Sequence, residues 1–331
     1  MTRTDLVVSD DSHVSRARRL AAAAAQRAGL PAAQVHRVAL AATELATNLI
    51  KHAGRGVMSV LHIPGALDVL ATDRGPGIER LEESLRDGYS TVGTMGGGLG
   101  GARRAADFFD VYTLLGRGTS VLARWHTGEP ALPGLSLGAA RLTAPGETSC
   151  GDMWTAVEKD GLVTVMLSDG LGHGDAAAAA SQAAVDVVAA SAQLHPARIL
   201  GVMQSALART RGATVAVAQL ATADGRLRFC GIGNIAVRHY PSPPEKVRRL
   251  LSRPGIVGAA NAGNPRDSAE SWSPSGRLVL HTDGVSDRWN ADDWPGLFRH
   301  DPAIVAAWIL GQRGRGRDDA CVVVAAGGAR R

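Results

Sequence analysis

The chain has 331 residues, a mass of 34.3 kDa and a hydrophobic fraction of 45%, which is enough for two domains with buried cores. No stretch approaches the roughly 18 apolar residues of a membrane span, no secretory signal is visible and three isolated cysteines exclude a disulfide scaffold, so we expect a cytoplasmic protein. The net charge of +5 is spread along the chain and only 4% of residues are aromatic, which argues against a nucleic-acid partner.

The N-terminal part of the chain is predicted to form two helices followed by strands. The first helix is expected to be capped by Ser12 and to end at Gly29, and the second opens at Pro31 and stops at Gly54. Two short strands, MSVLHI and LDVLATD, come next. After a glycine-rich segment, we expect a short helix from about Ala102 and two further strands.

The stretch TGEPALPGL has no hydrophobic periodicity and predicts a linker at residues 129–135, which divides the chain into domains at 1–128 and 136–331. In the second domain, aliphatic strands flank two consecutive helices, and a third helix is expected near residues 302–311. This order favours an α+β sandwich over alternating βαβ units.

Polar side chains lie on one stripe of the second predicted helix, in the motif TELATNLIKHA. Glu44 and Asn48 are four residues apart, and Lys51 follows within one further turn, so all three project from nearly the same face. A solvated helix face would explain this pattern, and a ligand site would explain it equally well.

Two glycine-rich turns follow this helix, and each has the composition of a loop that lies against a ligand. Asp73 ends a strand in DRGPGI, where Gly75 and Gly77 allow the backbone to turn tightly beside a ligand. The segment GTMGGGLGG, residues 93–101, precedes a helix, where free backbone N–H groups suit a polyphosphate.

The order ELATN, DRGPGI, GGGLG resembles the ATP-binding fold shared by gyrase, Hsp90, histidine kinases and MutL. More closely, DGYSTVGTMGGGLGGARRAADFF resembles the RsbT-type serine/threonine kinases of bacterial stress signalling. The resemblance implies an N-terminal α/β sandwich in which Glu44 is the general base and Asn48 holds Mg²⁺ on ATP. Asp73 would bond the adenine amino group. The nucleotide-binding residues so implied are Asn48, Lys51, Asp73, Gly75, Gly77, Gly96, Gly98, Leu99 and Gly100.

The glycine box differs from the family pattern at two positions. Thr94 stands where a glycine is usual, and Gly100 stands where a proline is expected. Neither change removes a charged catalytic group. An alternative therefore stays open, in which the N-terminal module senses ATP or docks a partner without kinase chemistry.

Acidic residues recur at the ends of strands in the C-terminal part of the chain. They are Asp152, Asp169, Asp283, Asp318 and Asp319, in the motifs CGDMW, SDGLGHG, HTDGVSD and RDDACVVV. Any one Asp–Gly pair is explained by a turn. Carboxylates that converge from separate strands repel one another unless a cation lies between them. Oxygen ligands without paired histidine or cysteine suit Mg²⁺ or Mn²⁺.

These motifs resemble the metal-dependent serine/threonine phosphatases of the 2C type, in the SpoIIE and RsbX branch, and the similarity spans residues 136–326. The resemblance implies a C-terminal αββα sandwich with two Mn²⁺ or Mg²⁺ ions. Asp152, Asp169, Asp283 and Asp318 would be ligands together with the Gly170 carbonyl. Asp319 would act through water or a neighbouring contact. His173 is either a proton donor to the leaving seryl oxygen or a turn histidine.

Together the two resemblances imply a bifunctional regulator of a partner-switching pathway that controls a sigma factor. By resemblance, the kinase module and the phosphatase module act on STAS-domain proteins, and a homodimer is left open. The alternative is a phosphatase alone, with the N-terminal module as an ATP-sensing or partner-binding switch.

Overall fold

The chain divides into two compact units, whose division differs from the sequence-based one. The structure, a computed structural model, describes residues 3–85, 98–128, 132, 134–242, 246–260 and 263–328. The first unit comprises Met1–Ala131 and Asn290–Gln312, and the second comprises Leu132–Trp289 and Arg313–Arg331. Asn290–Gln312 lies within the predicted C-terminal domain, yet it belongs to the first unit.

Both units combine helices with antiparallel sheets, which confirms the α+β class. The elements of the N-terminal part are β1 (Arg3–Val8), α1 (Asp11–Arg27), α2 (Ala32–Ala53), β2 (Gly56–Ile63), β3 (Ala66–Asp73), α3 (Leu81–Ser84), α4 (Gly98–Ala105), β4 (Phe108–Leu114) and β5 (Gly118–His126). Their strands form one sheet in the order β1-β2-β3-β5-β4.

The helix ends show where local sequence signals hold and where they do not. The cap of α1 is Asp10, whose carboxylate accepts a hydrogen bond from the Ser12 N–H at 3.0 Å, so the expected cap at Ser12 is wrong. Helix α2 ends at Ala53 and is capped by Gly54, where φ is 71°, as predicted from a glycine stop. Helix α4 begins at Gly98, inside the glycine box and four residues before the expected start.

One face of the first unit's sheet packs on α1, α2 and α4. Small side chains on α1, such as Ala17, Ala21 and Ala25, are buried in this core together with Leu45 of α2 and Trp125 of β5. Alanine permits a close approach between the helices and the sheet, because it has no side chain beyond Cβ.

The second unit contains two further five-stranded sheets. The elements of the C-terminal part of the chain are β6 (Leu135–Leu142), β7 (Asp152–Lys159), β8 (Leu162–Gly170), α5 (Asp175–Ser191), α6 (Pro196–Ala206), β9 (Ala213–Ala221), β10 (Arg226–Ile232), β11 (Ala236–Tyr240), β12 (Arg248–Leu250), β13 (Ser268–Ser271), β14 (Arg277–His281), α7 (Pro302–Arg313) and β15 (Ala320–Gly327). All of them belong to the second unit except α7, nearly all of which belongs to the first. The sheets run β13-β10-β9-β8-β7 and β12-β11-β14-β15-β6.

Helices α5 and α6 pack on the sheet that contains β8 and β9. Their contact buries Val188, Leu200 and Met203 against Met166 and Val217 of the strands. Within the described ranges, no helix is long and apolar enough to cross a membrane.

The segment Asn290–Gln312 packs within the first unit, near side chains on the second face of its sheet. It contains two short 3₁₀ turns, Ala291–Asp293 and Leu297–Arg299, and nearly all of α7. Tyr112 of β4 meets Trp308 of α7 edge to face, with ring centroids 4.7 Å apart. This segment therefore belongs to the first unit by packing and to the second part of the chain by sequence.

Candidate functional sites

The first unit contains a cavity of about 580 Å³ at the end of β3. It is lined by Glu44, Leu45, Thr47, Asn48, Leu49, Lys51, His52, Ala71, Asp73, Pro76, Gly77, Ile78, Glu79, Arg80, Ser84, Gly98, Leu99, Thr119 and Val121. Most of the predicted nucleotide-site residues thus lie around one cavity, although they come from α2, β3, the loop after β3 and α4.

Helix α2 presents the predicted catalytic stripe to this cavity. Glu44 and Asn48 are half-buried and Lys51 is exposed, as expected for side chains directed at a solvent-accessible site. The Glu44 Cγ also lies 4.0 Å from the position that a Cβ on Gly101 would occupy. A carboxylate, an amide and an ammonium group therefore line one wall.

Asp73 lies where β3 ends, and the turn that follows it donates to its carboxylate. The Gly75 N–H donates to Asp73 Oδ1 at 2.7 Å, and the Thr119 N–H adds a second bond. Burial raises the pKa of Asp73, and these two donors partly oppose the rise. A Cβ on Gly75 would lie 2.8 Å from the Ala53 Cβ, so this turn requires a glycine.

Gly77 is required for a different reason. Its φ is +80°, and a Cβ there would lie 2.8 Å from the Leu114 carbonyl oxygen. Of the other predicted glycines, Gly98 lines the cavity, Gly100 is buried inside α4 away from the lining, and Gly96 and Thr94 lie outside the described residues.

Several lining residues were not predicted from the sequence. Thr119 donates to Asp73 from the adjacent strand, and Glu79, Arg80 and Ser84 also line the cavity. No local motif marks them, because Thr119 reaches Asp73 only through the pairing of β3 with β5.

In the second unit, two aspartates face each other across one strand pair. Asp152 of β7 and Asp169 of β8 occupy directly opposed register positions. Asp152 is 1% exposed, and its Oδ2 accepts a hydrogen bond from the Thr282 hydroxyl at 2.6 Å. Thr282 precedes Asp283, so this bond ties the third acidic motif to the first.

The remaining acidic residues have distinct partners. Asp283 Oδ2 accepts from the Asn234 amide at 2.8 Å. Asp319 is buried, and its two oxygens accept from the N–H groups of Ala144 at 2.7 Å and Gly151 at 2.6 Å. Asp318 is exposed and accepts from the Asp319 N–H at 2.8 Å. Asp319 thus holds two separate stretches of backbone, whereas the Asp318 side chain is exposed to solvent.

Mutual repulsion marks these carboxylates as one group. Burial and the nearby Asp283, Asp318 and Asp319 raise the pKa of Asp169 to about 7. Burial, Asp169 and neighbouring carboxylates raise the pKa of Asp152 well above its usual value, although the Thr282 hydrogen bond opposes this. A divalent cation among them would remove this repulsion.

The donor chemistry fits a hard divalent cation, since the groups that repel one another here are all carboxylates. Gly170 ends β8 next to Asp169, and a Cβ on it would lie 2.2 Å from the Ala177 carbonyl oxygen, so only glycine fits. Among the described residues, no three or more His, Cys, Asp or Glu side chains are placed so that together they could hold a metal ion. The donors therefore fit the ion in kind, without forming its full coordination shell here.

His173 lies in the loop that follows Asp169 and Gly170. Its Nδ1 is 2.5 Å from Glu147 Oε1, and the side chain is 64% exposed. The Glu147 carboxylate orients the imidazole, a contact that the sequence did not indicate.

Comparison with known proteins agrees with this division of sites. The histidine kinase-like ATPase domain family matches residues 7–125, and the stage II sporulation protein E (SpoIIE) family matches residues 159–326. The chain is 32% identical over 130 residues to the serine/threonine-protein kinase RsbT of Bacillus subtilis (strain 168), which covers 38% of this chain and 92% of RsbT.

The second half has its own relatives. It is 24% identical over 150 residues to the phosphoserine phosphatase RsbX of Bacillus subtilis (strain 168), covering 44% of this chain and 72% of RsbX. A crystal structure of RsbX in complex with magnesium has a similar fold, with a TM-score of 0.51, 19% identity, and coverage of 60% of this chain and 97% of that one.

These matches confirm the predicted pair of folds, an RsbT-like ATPase fold followed by a 2C-type phosphatase fold. The protein is a serine/threonine phosphatase with a kinase-like module, of the kind found in partner-switching systems. The chain belongs to the SpoIIE phosphatase family through its C-terminal half and to the RsbT kinase family through its N-terminal part.

Proposed function

We propose that this chain both adds and removes phosphate on seryl or threonyl residues of STAS-domain proteins. The N-terminal module would transfer the γ-phosphoryl group of ATP, and the C-terminal module would hydrolyse the resulting phosphoester. The observation that carries the proposal is that each unit gathers the groups its own reaction needs: Glu44, Asn48 and Asp73 around one cavity, and Asp152 and Asp169 opposed in one sheet.

In the first unit, Glu44 would accept the proton of the substrate hydroxyl as its oxygen attacks the γ-phosphorus, and ADP would leave. Asp73 would accept a hydrogen bond from the adenine amino group, since its carboxylate lies in the cavity wall. Asn48 would hold Mg²⁺ and Lys51 would bind phosphate oxygens. Bound Mg²⁺ would neutralise phosphate charge.

In the second unit, Asp152, Asp169, Asp283, Asp318 and the Gly170 carbonyl would hold two Mn²⁺ or Mg²⁺ ions. Such ions supply a nucleophilic hydroxide and neutralise the phosphoryl group. Asp319 would keep the backbone at Ala144 and Gly151 in place by accepting a hydrogen bond from the N–H group of each. His173, oriented by Glu147, would donate a proton to the leaving seryl oxygen.

Paired variants separate the two activities. Glu44→Ala should reduce label transfer from γ-labelled ATP to a STAS-domain substrate by about 10²- to 10⁴-fold while phosphate removal is retained, because only the general base is lost. Asp169→Ala should abolish phosphate removal and leave transfer intact. If neither change affects a phosphorylated or unphosphorylated STAS partner, the proposal fails.

A second candidate is a phosphatase whose N-terminal module binds ATP without transferring its phosphate. The incorporation of Asn290–Gln312 into the first unit favours a regulatory tie between the modules. Nucleotide binding with no labelled protein, in the presence of every STAS partner tried, would select this candidate over the kinase.

A further inference from the structure

The C-terminal end of α7 contacts both neighbours of Asp73. Arg74 Nε donates a hydrogen bond to the Gly311 carbonyl oxygen. Gly311 also lies against Thr72, where a Cβ on the glycine would be 2.9 Å from the Thr72 Cγ2. The end of this helix therefore rests on the residues that flank Asp73 in the nucleotide cavity.

The turn between β4 and β5 connects the same helix end to the loop after Asp73. The Gln312 side-chain amide donates to the Arg117 carbonyl at 2.8 Å. In that turn, the Gly116 N–H donates to the Pro76 carbonyl at 2.8 Å. Since Pro76 and Gly77 line the cavity, the helix end and the nucleotide loop are parts of one hydrogen-bonded cluster.

The chain that leaves α7 pairs at once with an acidic motif of the second unit. The Ser286 N–H donates to the Arg313 carbonyl, and the Arg315 N–H donates to the Gly284 carbonyl, each at 2.9 Å. Gly284 follows Asp283, and Asp318 lies three residues beyond Arg315. The segment that packs in the first unit is thus bounded in sequence by two of the proposed metal ligands.

We propose that Arg74 is a positioning residue that couples nucleotide occupancy at Asp73 to the geometry of Asp283 and Asp318. This inference rests on the proposed function, since it requires both a nucleotide site and a phosphatase site. Nucleotide contact with Asp73 and the following turn biases the position of residues 72–77. Through its hydrogen bond, Arg74 passes this change of position to Gly311. Helix α7 passes it on to the backbone pairing between residues 313–315 and residues 284–286. A nucleotide shifts this equilibrium only in proportion to its differential affinity for the two arrangements.

The test measures phosphatase activity of the full chain with and without a nucleotide that cannot be hydrolysed. The readout is kcat/KM for p-nitrophenyl phosphate at a fixed excess of Mn²⁺, with and without saturating AMPPNP. We expect AMPPNP to change the wild-type value by at least about fivefold, as is usual for coupled sites. In Arg74→Ala the change should fall below about twofold, with basal hydrolysis and AMPPNP affinity close to those of the wild type.

Matched variants exclude a merely structural effect. Arg74→Lys, which keeps a donor, should restore part of the nucleotide response. Arg117→Ala, which removes an exposed arginine but keeps the carbonyl that Gln312 uses, should respond like the wild type. Asp73→Ala should abolish the nucleotide response. If the response were caused by chelation of Mn²⁺ by AMPPNP, it would persist in that variant. Should Arg74→Ala unfold, Gln312→Ala cuts the other bond at the same helix end.

The outcomes distinguish this inference from the proposed function. A wild-type protein that binds AMPPNP and hydrolyses the ester without a nucleotide effect overturns the coupling alone. A full response in Arg74→Ala also overturns it. Failure of the wild type to bind nucleotide or to hydrolyse the ester overturns the proposed function, and the coupling with it.

Discussion

Single glycines set how closely the acidic strand ends of the second unit approach one another. A Cβ on Gly284 would lie 1.9 Å from the Asp319 carbonyl oxygen, which is inside any allowed contact. A Cβ on Gly151 would lie 3.0 Å from Asp319 Oδ2, to which the Gly151 N–H donates. The absence of a side chain at these positions lets the backbone carrying Asp283 and Asp152 lie against Asp319.

We expect Gly284→Ala to impair the phosphatase site more than the fold. The added methyl group must push Asp319 away, at a cost of about 1–3 kcal/mol in the free energy of unfolding. Displacement of the carboxylates by about 1 Å should lower the rate of phosphoester hydrolysis by about 10²-fold. Urea denaturation and hydrolysis of p-nitrophenyl phosphate measure the two effects.

Gly201→Ala is the matched control for this change. Gly201 lies in α6, and no atom comes within 4 Å of a Cβ placed there. Alanine should therefore stabilise the helix by about 0.5–1 kcal/mol and leave hydrolysis unchanged. Equal activity of the two variants would contradict the role given to Gly284.

Among the secondary-structure elements, β3, β5 and the segment before α7 are joined by a buried ion triad. Arg124 of β5 lies opposite Asp68 of β3 and donates to its two oxygens at 2.6 and 2.7 Å. The same guanidinium donates to Asp301 at 2.7 and 3.0 Å. Asp68 and Arg124 are 0% and 2% exposed, so neither charge has water as an alternative partner.

Removal of the arginine should be strongly destabilising. Arg124→Ala leaves two carboxylates without their partner, one of them fully buried, and we expect a loss of about 3–5 kcal/mol in the free energy of unfolding. Chemical denaturation of the full chain measures it. Arg37→Ala breaks an exposed pair with Asp107 and should cost no more than about 1 kcal/mol. A loss for Arg124→Ala as small as that for Arg37→Ala would refute the structural role of the triad.

The sequence predicted element types well wherever the signal is local. The stop of α2 at Gly54 and the strands on either side of the 64–65 turn follow from glycine conformation and alternation of side chains. The start of α4 at Gly98 was not predicted, because glycines have low helix propensity. The helix is stabilised there by the packing of Leu99 and Ala102 into the core. Strand β1 was also not predicted, since a short run such as DLVV becomes a strand only by pairing with β2.

At the scale of the whole molecule, segments that are neighbours in sequence do not always belong to the same compact unit. Asn290–Gln312 lies between two acidic motifs of the phosphatase part, and it packs in the first unit. His300 and the Asp301 N–H both reach Asp110 at 2.8 Å, and the Tyr112 hydroxyl donates to the Pro295 carbonyl at 3.2 Å. The two units are therefore joined by more than one passage of the chain.

A fragment of residues 1–131 should be less stable than the same unit in the full chain. Without Asn290–Gln312, Tyr112 loses its contact with Trp308, and Arg124 loses one of its two carboxylates. We expect a lower melting temperature by circular dichroism and increased binding of a hydrophobic dye, because apolar surface becomes exposed.

A synthetic peptide of residues 290–312 provides the control for this experiment. Added in excess, it should raise the melting temperature of the fragment by mass action, and an Asp301→Asn peptide should do so less. A fragment as stable as the full chain and unaffected by the peptide would show that the segment contributes no stability to the first unit.

The sequence alone predicted the families and the α+β class, which the comparisons confirm, and it named most of the candidate site residues. It could do so because these depend on short motifs whose spacing places side chains on one helix face or at one strand end. The tertiary structure alone decided that Thr119 bonds Asp73, that Asp319 holds backbone, and that α7 packs in the first unit. Hydrophobic periodicity shows that α7 has apolar faces to bury, but it does not show against which part of the protein they pack. That choice depends on partners far away in sequence, such as Arg124 for Asp301, whose pairing exists only in the folded chain.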